Sequence, residues 1–439
     1  MNNGKKNRKV LLIMQLKFIP VKMRLPLKFG AETIDSIQIC HVEYPAYGAV
    51  GRGETPLSVA WAWPSTLSFG LREELMCKFC EVLAEAYPAE PQLHPMSEGY
   101  TFLTGKLDSL LEKFNCENNT RMPHLAALIC ASAFDIALHD AYGLAKGLPT
   151  YQTYNKEFMD HDLAWFYNDG AFAGLYPEDF FVKNVPAELP VWHLVGGKDL
   201  LYESERTSGE PDDGYPVSLE KWIERDGLKC LKIKLTGSDG AWDYDRVTAI
   251  GKIALKYGVE ALSPDFNCLV KDPSYVNDIL DKLKAEYPAI YDLLIYVEQP
   301  FPYDLEANQI DVHSCSQRKP LFMDESAHDW KFVKLGCSLG WNGVALKVCK
   351  TQTGALLSAC WAKKHDMQLM VQDLTNPMLA TVPHALLAAH IGTIKGVECN
   401  APQFYPQASL DDEKLRPGLY ERRNGIVSIK ALTGNGFGY

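Results

Sequence analysis

At 439 residues the chain exceeds the size at which one hydrophobic core usually stops growing, so two domains, or a large barrel with an attachment, are expected. Hydrophobic content of 47% with 23% charged residues is globular composition, and a net charge of −11 argues against the basic face that nucleic-acid binding needs. The basic start "NGKKNRK" is followed by only "VLLIM", too short for a signal peptide, and no apolar run approaches a membrane span, so a soluble cytoplasmic protein with neither nucleic-acid nor membrane partners is expected.

In chain order, "VLLIMQLKFIPV" and "TIDSIQICHVEY" read as strands, "YGAVGRGETP" as a glycine-rich turn, and "LAALICASAFDIALHDAYGLAKG" as a helix. Residues 151–188 are rich in Phe and Trp but carry few regular signals, and read as a linker or insertion packed on the surface. Residues 1–188 thus form a first region. The twelve cysteines lie mostly in apolar runs, the usage of reduced buried thiols. Cys77 and Cys80 have zinc-like spacing with no second pair to complete a site, so helix packing explains them.

From about residue 189 to 411, short apolar strands alternate with amphipathic helical segments. The strands are "PVWHLV", "KCLKIKL", "VEALSPD", "DLLIYVEQ", "PLFMDE", "GVALKVC", "QLMVQD" and "GVECNA"; the clearest helices include "DYDRVTAIGKIALKYG" and "TGALLSACWAKKHD". Eight such units predict a closed parallel (β/α)8 barrel, with an open doubly wound sheet as the alternative. The long polar stretch over residues 196–216, after the first barrel strand, is a candidate lid.

Charged residues fall at the strand ends. Lys234, Asp265, Glu298, Asp324, Lys347 and Asp373 are separated by 31, 33, 26, 23 and 26 residues, about one strand-helix unit each. In a barrel these ends converge on one mouth, where active sites of this architecture are built. Asp265, Glu298 and Asp324 cannot comfortably share a low-dielectric cavity as bare anions, and a divalent cation resolves the repulsion. All-oxygen ligands favour a hard ion such as magnesium. On the second strand, Lys232 and Lys234 point to the same side because alternate residues share a face. Neighbouring ammonium groups and burial lower a lysine pKa, so Lys232 is expected to tune Lys234 as a general base and to meet an anionic group of the substrate.

The set "KIK", "SPDFN", "YVEQP", "FMDES" and "ALKVCK" resembles the enolase superfamily, and K-x-K with a sixth-strand lysine is similar to its muconate lactonizing enzyme subgroup. "VGRGETP", "FDIALHDAYGLAKGLPTY" and "NGIVSIKALTGNGFG" resemble that family's glycine-rich cap turn, last cap helix and C-terminal return, which assigns residues 412–439 to the cap. The resemblance implies a (β/α)8 barrel with an α+β capping domain, and magnesium held by Asp265, Glu298 and Asp324. It implies removal of a proton alpha to a substrate carboxylate, with Lys234 and Lys347 as opposed acid/base groups and Lys232 beside them. Racemisation or epimerisation is the expected outcome, with cycloisomerisation or elimination as alternatives and a non-catalytic barrel as a third.

Two cap stretches, "FIPVKMRLPLKFGAE" and "PLSVAWAWPSTLSFG", are expected over the mouth. Trp61 and Trp63 are candidates for an apolar lid on the substrate, and Asn267, Glu325 and Asp373 for support or substrate contact. Lys22, Arg24 and Lys28 read as solvated surface charge, and His193 as structural. The seventh strand ends in "VQDLTNP" without histidine, and the eighth in "VECNAPQ" without the Asp-x-Asp of many dipeptide epimerases, so the substrate class stays open beyond a small carboxylate. A homo-oligomer is expected.

Overall fold

The computed structural model describes residues 13–29 and 32–439, so the basic start and the side chain of Lys28 lie outside the described residues. Three antiparallel strands, β1 (Gln15–Phe29), β2 (Glu32–Ala46) and β3 (Ala49–Pro56), form a sheet in the order β1-β2-β3. The β2–β3 link is the two-residue turn Tyr47–Gly48, both at positive φ, as a tight hairpin requires.

The part "VGRGETP", likened to a glycine-rich turn, lies wholly in strand β3. A Cβ at Gly51 would sit 2.0 Å from the carbonyl oxygen of Ala137, and one at Gly53 2.0 Å from that of Ala133. The glycines are there because the helix His124–Lys146 lies backbone-close on the strand. That helix is long and apolar enough to span a membrane, yet its apolar stretch, Leu125 to Gly143, is buried in the protein.

Eight parallel strands follow: β4 (Glu188–Val195), β5 (Cys230–Lys234), β6 (Ala261–Asp265), β7 (Val297–Glu298), β8 (Leu321–Met323), β9 (Gly343–Leu346), β10 (Gln368–Val371) and β11 (Val397–Glu398). They pair in sequence order, and β11 pairs with β4, closing the barrel. All eight predicted strands are present. Trp192, Cys230, Ala261, Phe322 and Met370 from the strands, with Tyr296 just before β7, pack together as one buried cluster and fill the lower interior, leaving the C-terminal ends of the strands for a site.

Residues 151–188 are not the surface linker the sequence suggested. Short helical turns bury Tyr154, Leu163, Phe166 and Phe172 in the main core, and Tyr167 donates a 2.6 Å hydrogen bond to the carbonyl of Leu357. The aromatic richness was a packing signal. At the far end, β12 (Ile426–Ser428) pairs antiparallel with β4, and Phe437 N donates to Asp140 Oδ1 on the long cap helix at 2.8 Å. Arg24 is likewise no solvated charge: its guanidinium grips Asp213 through two 2.7 Å bonds, and donates to the carbonyls of Tyr215 and Pro216. It ties β1 to the loop over residues 196–216. His193 is buried beside Trp222 and Arg422, in the structural role expected. All twelve cysteines are free thiols, and among the described residues none joins a group suited to a metal.

Candidate active site

Alternation along β5 sends Lys232 and Lys234 into the barrel mouth, as their spacing required. Lys232 Nζ lies 2.6 Å from Glu298 Oε1, 3.3 Å from Asp265 Oδ2 and 3.5 Å from Glu398 Oε2. Lys234 Nζ bonds Asp265 Oδ2 and donates to Asn267 Oδ1 at 2.9 Å. Register sets Asp265 beside Glu298 on adjacent strands. Asp324 follows β8 and faces the other lysines: Lys347 Nζ is 3.4 Å from its Oδ2, and Lys350 Nζ 3.4 Å from its Oδ1. Strands β5 and β9 are four places apart in either direction around the closed barrel, so Lys234 and Lys347 rise from opposite walls.

Among the described residues no three carboxylate, imidazole or thiolate groups already surround one point, because ammonium groups occupy the carboxylates. The chemistry of the donor set nevertheless suits a divalent cation. Asp265, Glu298, Asp324 and Glu398 pair with lysines 232, 234, 347 and 350, and two further carboxyl side chains, Glu325 and Asp373, lie buried at the same mouth, a formal excess of two negative charges. In addition, among the described residues Glu325 Oε2 is buried without a hydrogen-bond donor.

Carboxylates from neighbouring strands set the charge pattern around the buried lysines. Burial pulls Lys232 down, but Glu298, Glu398 and Asp265 outweigh it and hold its pKa well above the ordinary value. Lys347 is raised too, burial opposing and Asp324 winning. In Lys350 burial wins and the pKa falls. Asp265 and Asp324 are buried, yet nearby lysines hold both below the usual carboxylate range. Burial, with Asp324 and Asp265 alongside, pushes Glu325 up to about 7.

The remaining candidates divide. Trp61 donates from Nε1 to Glu325 Oε1 at 2.9 Å, and its ring lies 5.5 Å from both Lys347 Nζ and Lys350 Nζ. Trp63 packs in the cap core instead, its carbonyl accepting from Arg72. Asp373 turns its carboxylate to the backbone N–H and side chain of Asn400, while its carbonyl accepts from Lys347 at 3.2 Å. Sequence reasoning missed Lys350, Gln372 and Glu398. Gln372 accepts from Lys232 and Lys347 through Oε1, at 3.3 and 3.2 Å, and donates to Glu298. Glu398 could have been found by the rule that selected the others, since it ends the eighth strand. Non-glycine residues at positive φ, a strained backbone, gather at the same rim: Asn267, Cys268, Gln299, Thr351 and Thr375.

Trp61→Phe keeps an aromatic side chain, though a smaller one, but removes the donor to Glu325 Oε1. A loss of about 1–3 kcal/mol in urea-unfolding stability is expected. A variant as stable as the parent would show that this bond contributes nothing.

The family model for enolase C-terminal domain-like proteins matches residues 216–439. No curated protein matches the chain by sequence. Among solved structures, a mandelate racemase/muconate lactonizing protein from Herpetosiphon aurantiacus is 18% identical, with 97% of this chain and 96% of that chain covered and a TM-score of 0.64. A dipeptide epimerase from Enterococcus faecalis, complexed with Mg and the dipeptide L-Leu-L-Tyr, is also 18% identical, covering 97% and 98% with a TM-score of 0.63. The muconate lactonizing enzyme from Pseudomonas putida is 15% identical, covering 97% and 96% with a TM-score of 0.60.

Proposed function

Because the chain belongs to the enolase C-terminal domain-like family, we propose that it is a racemase or epimerase that removes and returns the proton alpha to the carboxylate of a small molecule. The observation that carries this reading is the placement of Lys234 and Lys347 on opposite walls of one carboxylate-lined mouth. A substrate between them presents one face of its alpha carbon to each lysine.

Asp265, Glu298 and Asp324 would hold a magnesium ion, whose chemistry is to stabilise the negative charge that builds on the substrate carboxylate as the alpha proton leaves. Lys234, once it has given up a proton, takes the alpha proton at Nζ; Asn267 holds that nitrogen at 2.9 Å. Lys347 delivers a proton from Nζ to the opposite face, and Gln372 Oε1 and the carbonyl of Asp373 aim it. The centre inverts, and the exchanged roles run the reverse reaction.

A second reading, cycloisomerase or lyase, is favoured by one feature. Lys347 is almost wholly enclosed and its pKa is raised by Asp324, which suits an ammonium that stays charged through a one-base reaction. Incubation with a panel of carboxylates in D2O separates the readings. Deuterium uptake at the alpha carbon with inversion, lost on chelation and restored by Mg2+, is expected. Ring closure or a new double bond without inversion selects the second reading, and absence of any turnover across amino-acid, dipeptide and hydroxy-acid carboxylates counts against both.

A further inference from the structure

The long cap helix His124–Lys146 does more than fill the cap. Asp135, fully buried on it, accepts from the backbone N–H of Thr353 at Oδ2 and from Thr353 Oγ1 at Oδ1, both at 2.8 Å. Since the Thr353 hydroxyl donates its proton to Asp135, it must accept from His139 Nε2 at 2.9 Å. That fixes the histidine tautomer: Nδ1 carries no proton and accepts from the Tyr154 hydroxyl at 2.9 Å. Tyr154 in turn accepts from Gln352 Nε2 at 3.3 Å. Every bond in the chain runs toward one carboxylate, and every member is buried.

The far end of this network is the loop that follows β9. It leaves Lys347, passes through Lys350, reaches Thr351 at φ +83, and enters the helix Gln352–Lys364. A β-branched residue in that backbone region is held against strain. Ser132, on the same cap helix, donates to the carbonyl of Val348 at 2.8 Å. The fit is tight, since a Cβ on Gly99 would come within 2.4 Å of both Asp135 Oδ1 and Thr353 Oγ1.

We propose that Asp135 and Thr353 are positioning residues that act across the cap–barrel interface to hold the β9 loop so that Lys347 faces the reacting carbon. The inference rests on the two-lysine reading above. It predicts an asymmetry, because these hydrogen bonds land on the loop and helix that follow Lys347.

Thr353→Val keeps the side-chain volume and the backbone bond but removes the hydroxyl. In the full-length enzyme with Mg2+, proton exchange on the Lys347 face should fall by about 10- to 100-fold, the cost of a misplaced reacting group. KM and exchange on the Lys234 face should stay within twofold, and Thr353→Ser should restore the rate. Ser132→Ala, which removes the second tether without touching the buried carboxylate, should lower the same face in a smaller measure and covers the case in which the valine variant fails to fold. Equal loss on both faces, no loss in any variant, or a serine variant as poor as valine would overturn the inference while leaving the two-lysine reading intact. A wild-type enzyme that exchanges no alpha proton overturns that reading first.

Discussion

Lys347→Ala is expected to stop inversion of the substrate centre while leaving exchange of one enantiomer's alpha proton by Lys234, and Lys234→Ala is expected to show the mirror behaviour. The lysines stand on opposite walls of the mouth, so neither reaches the other's face of a bound substrate. Loss of a positioned acid or base costs about 10²–10⁴-fold in rate. Circular dichroism of substrate and product, with deuterium uptake by NMR, reads inversion and exchange separately. The fold should survive in Lys347→Ala, since Lys350 still pairs with Asp324. Two variants that both racemise at the parental rate would remove the central assignment.

Lys232→Met is expected to damage stability as well as activity. Its ammonium lies between Glu298, Asp265 and Glu398, all buried. Removing one partner of a buried ion pair leaves the others uncompensated and costs about 3–5 kcal/mol. The sign of the pH dependence follows from Glu298. Burial already pushes its carboxyl from 4.5 up to about 8 against the pull of Lys232, and removing the lysine pushes it further. The parent already keeps this proton up to about pH 8, so parent and variant lose stability alike between about 4.5 and 8, and the variant falls further behind only above about pH 8, where the parent's Glu298 ionises beside Lys232. Unfolding in urea should therefore show a larger deficit above about pH 8 than near pH 5. A deficit independent of pH would mean that Lys232 contributes packing alone.

Much of this was legible in the sequence, for physical reasons that also explain the misses. The barrel strands were readable because each apolar run ends in a charged residue at a regular interval, and alternation on β5 placed both lysines on one face. The surroundings of Lys232 were not legible, because sequence shows neighbours along one strand, whereas Glu298 and Glu398 reach it from strands two places away on either side. Gln372 carried no charge to mark it, and Lys350 lies beyond the strand end, where no periodicity applies. Gly51 and Gly53 read as a turn because a strand that must admit a helix backbone uses the same residue. Residues 151–188 lacked regular periodicity, yet their aromatic side chains are core.

The hydrogen bond from Phe437 to Asp140 spans 297 positions of chain, and Gly436 adds another by accepting from the N–H of Thr150 at 2.8 Å. During synthesis the cap helix therefore emerges long before the residues that satisfy its buried aspartate. Arg52 N can already serve Asp140 Oδ2, at 2.9 Å, but until residue 437 has left the ribosome Oδ1 must keep water. Folding of the cap is in this sense a late event, governed by closure of a very long loop, and a truncated translation product ending in the barrel would expose a half-finished surface to chaperones and proteases.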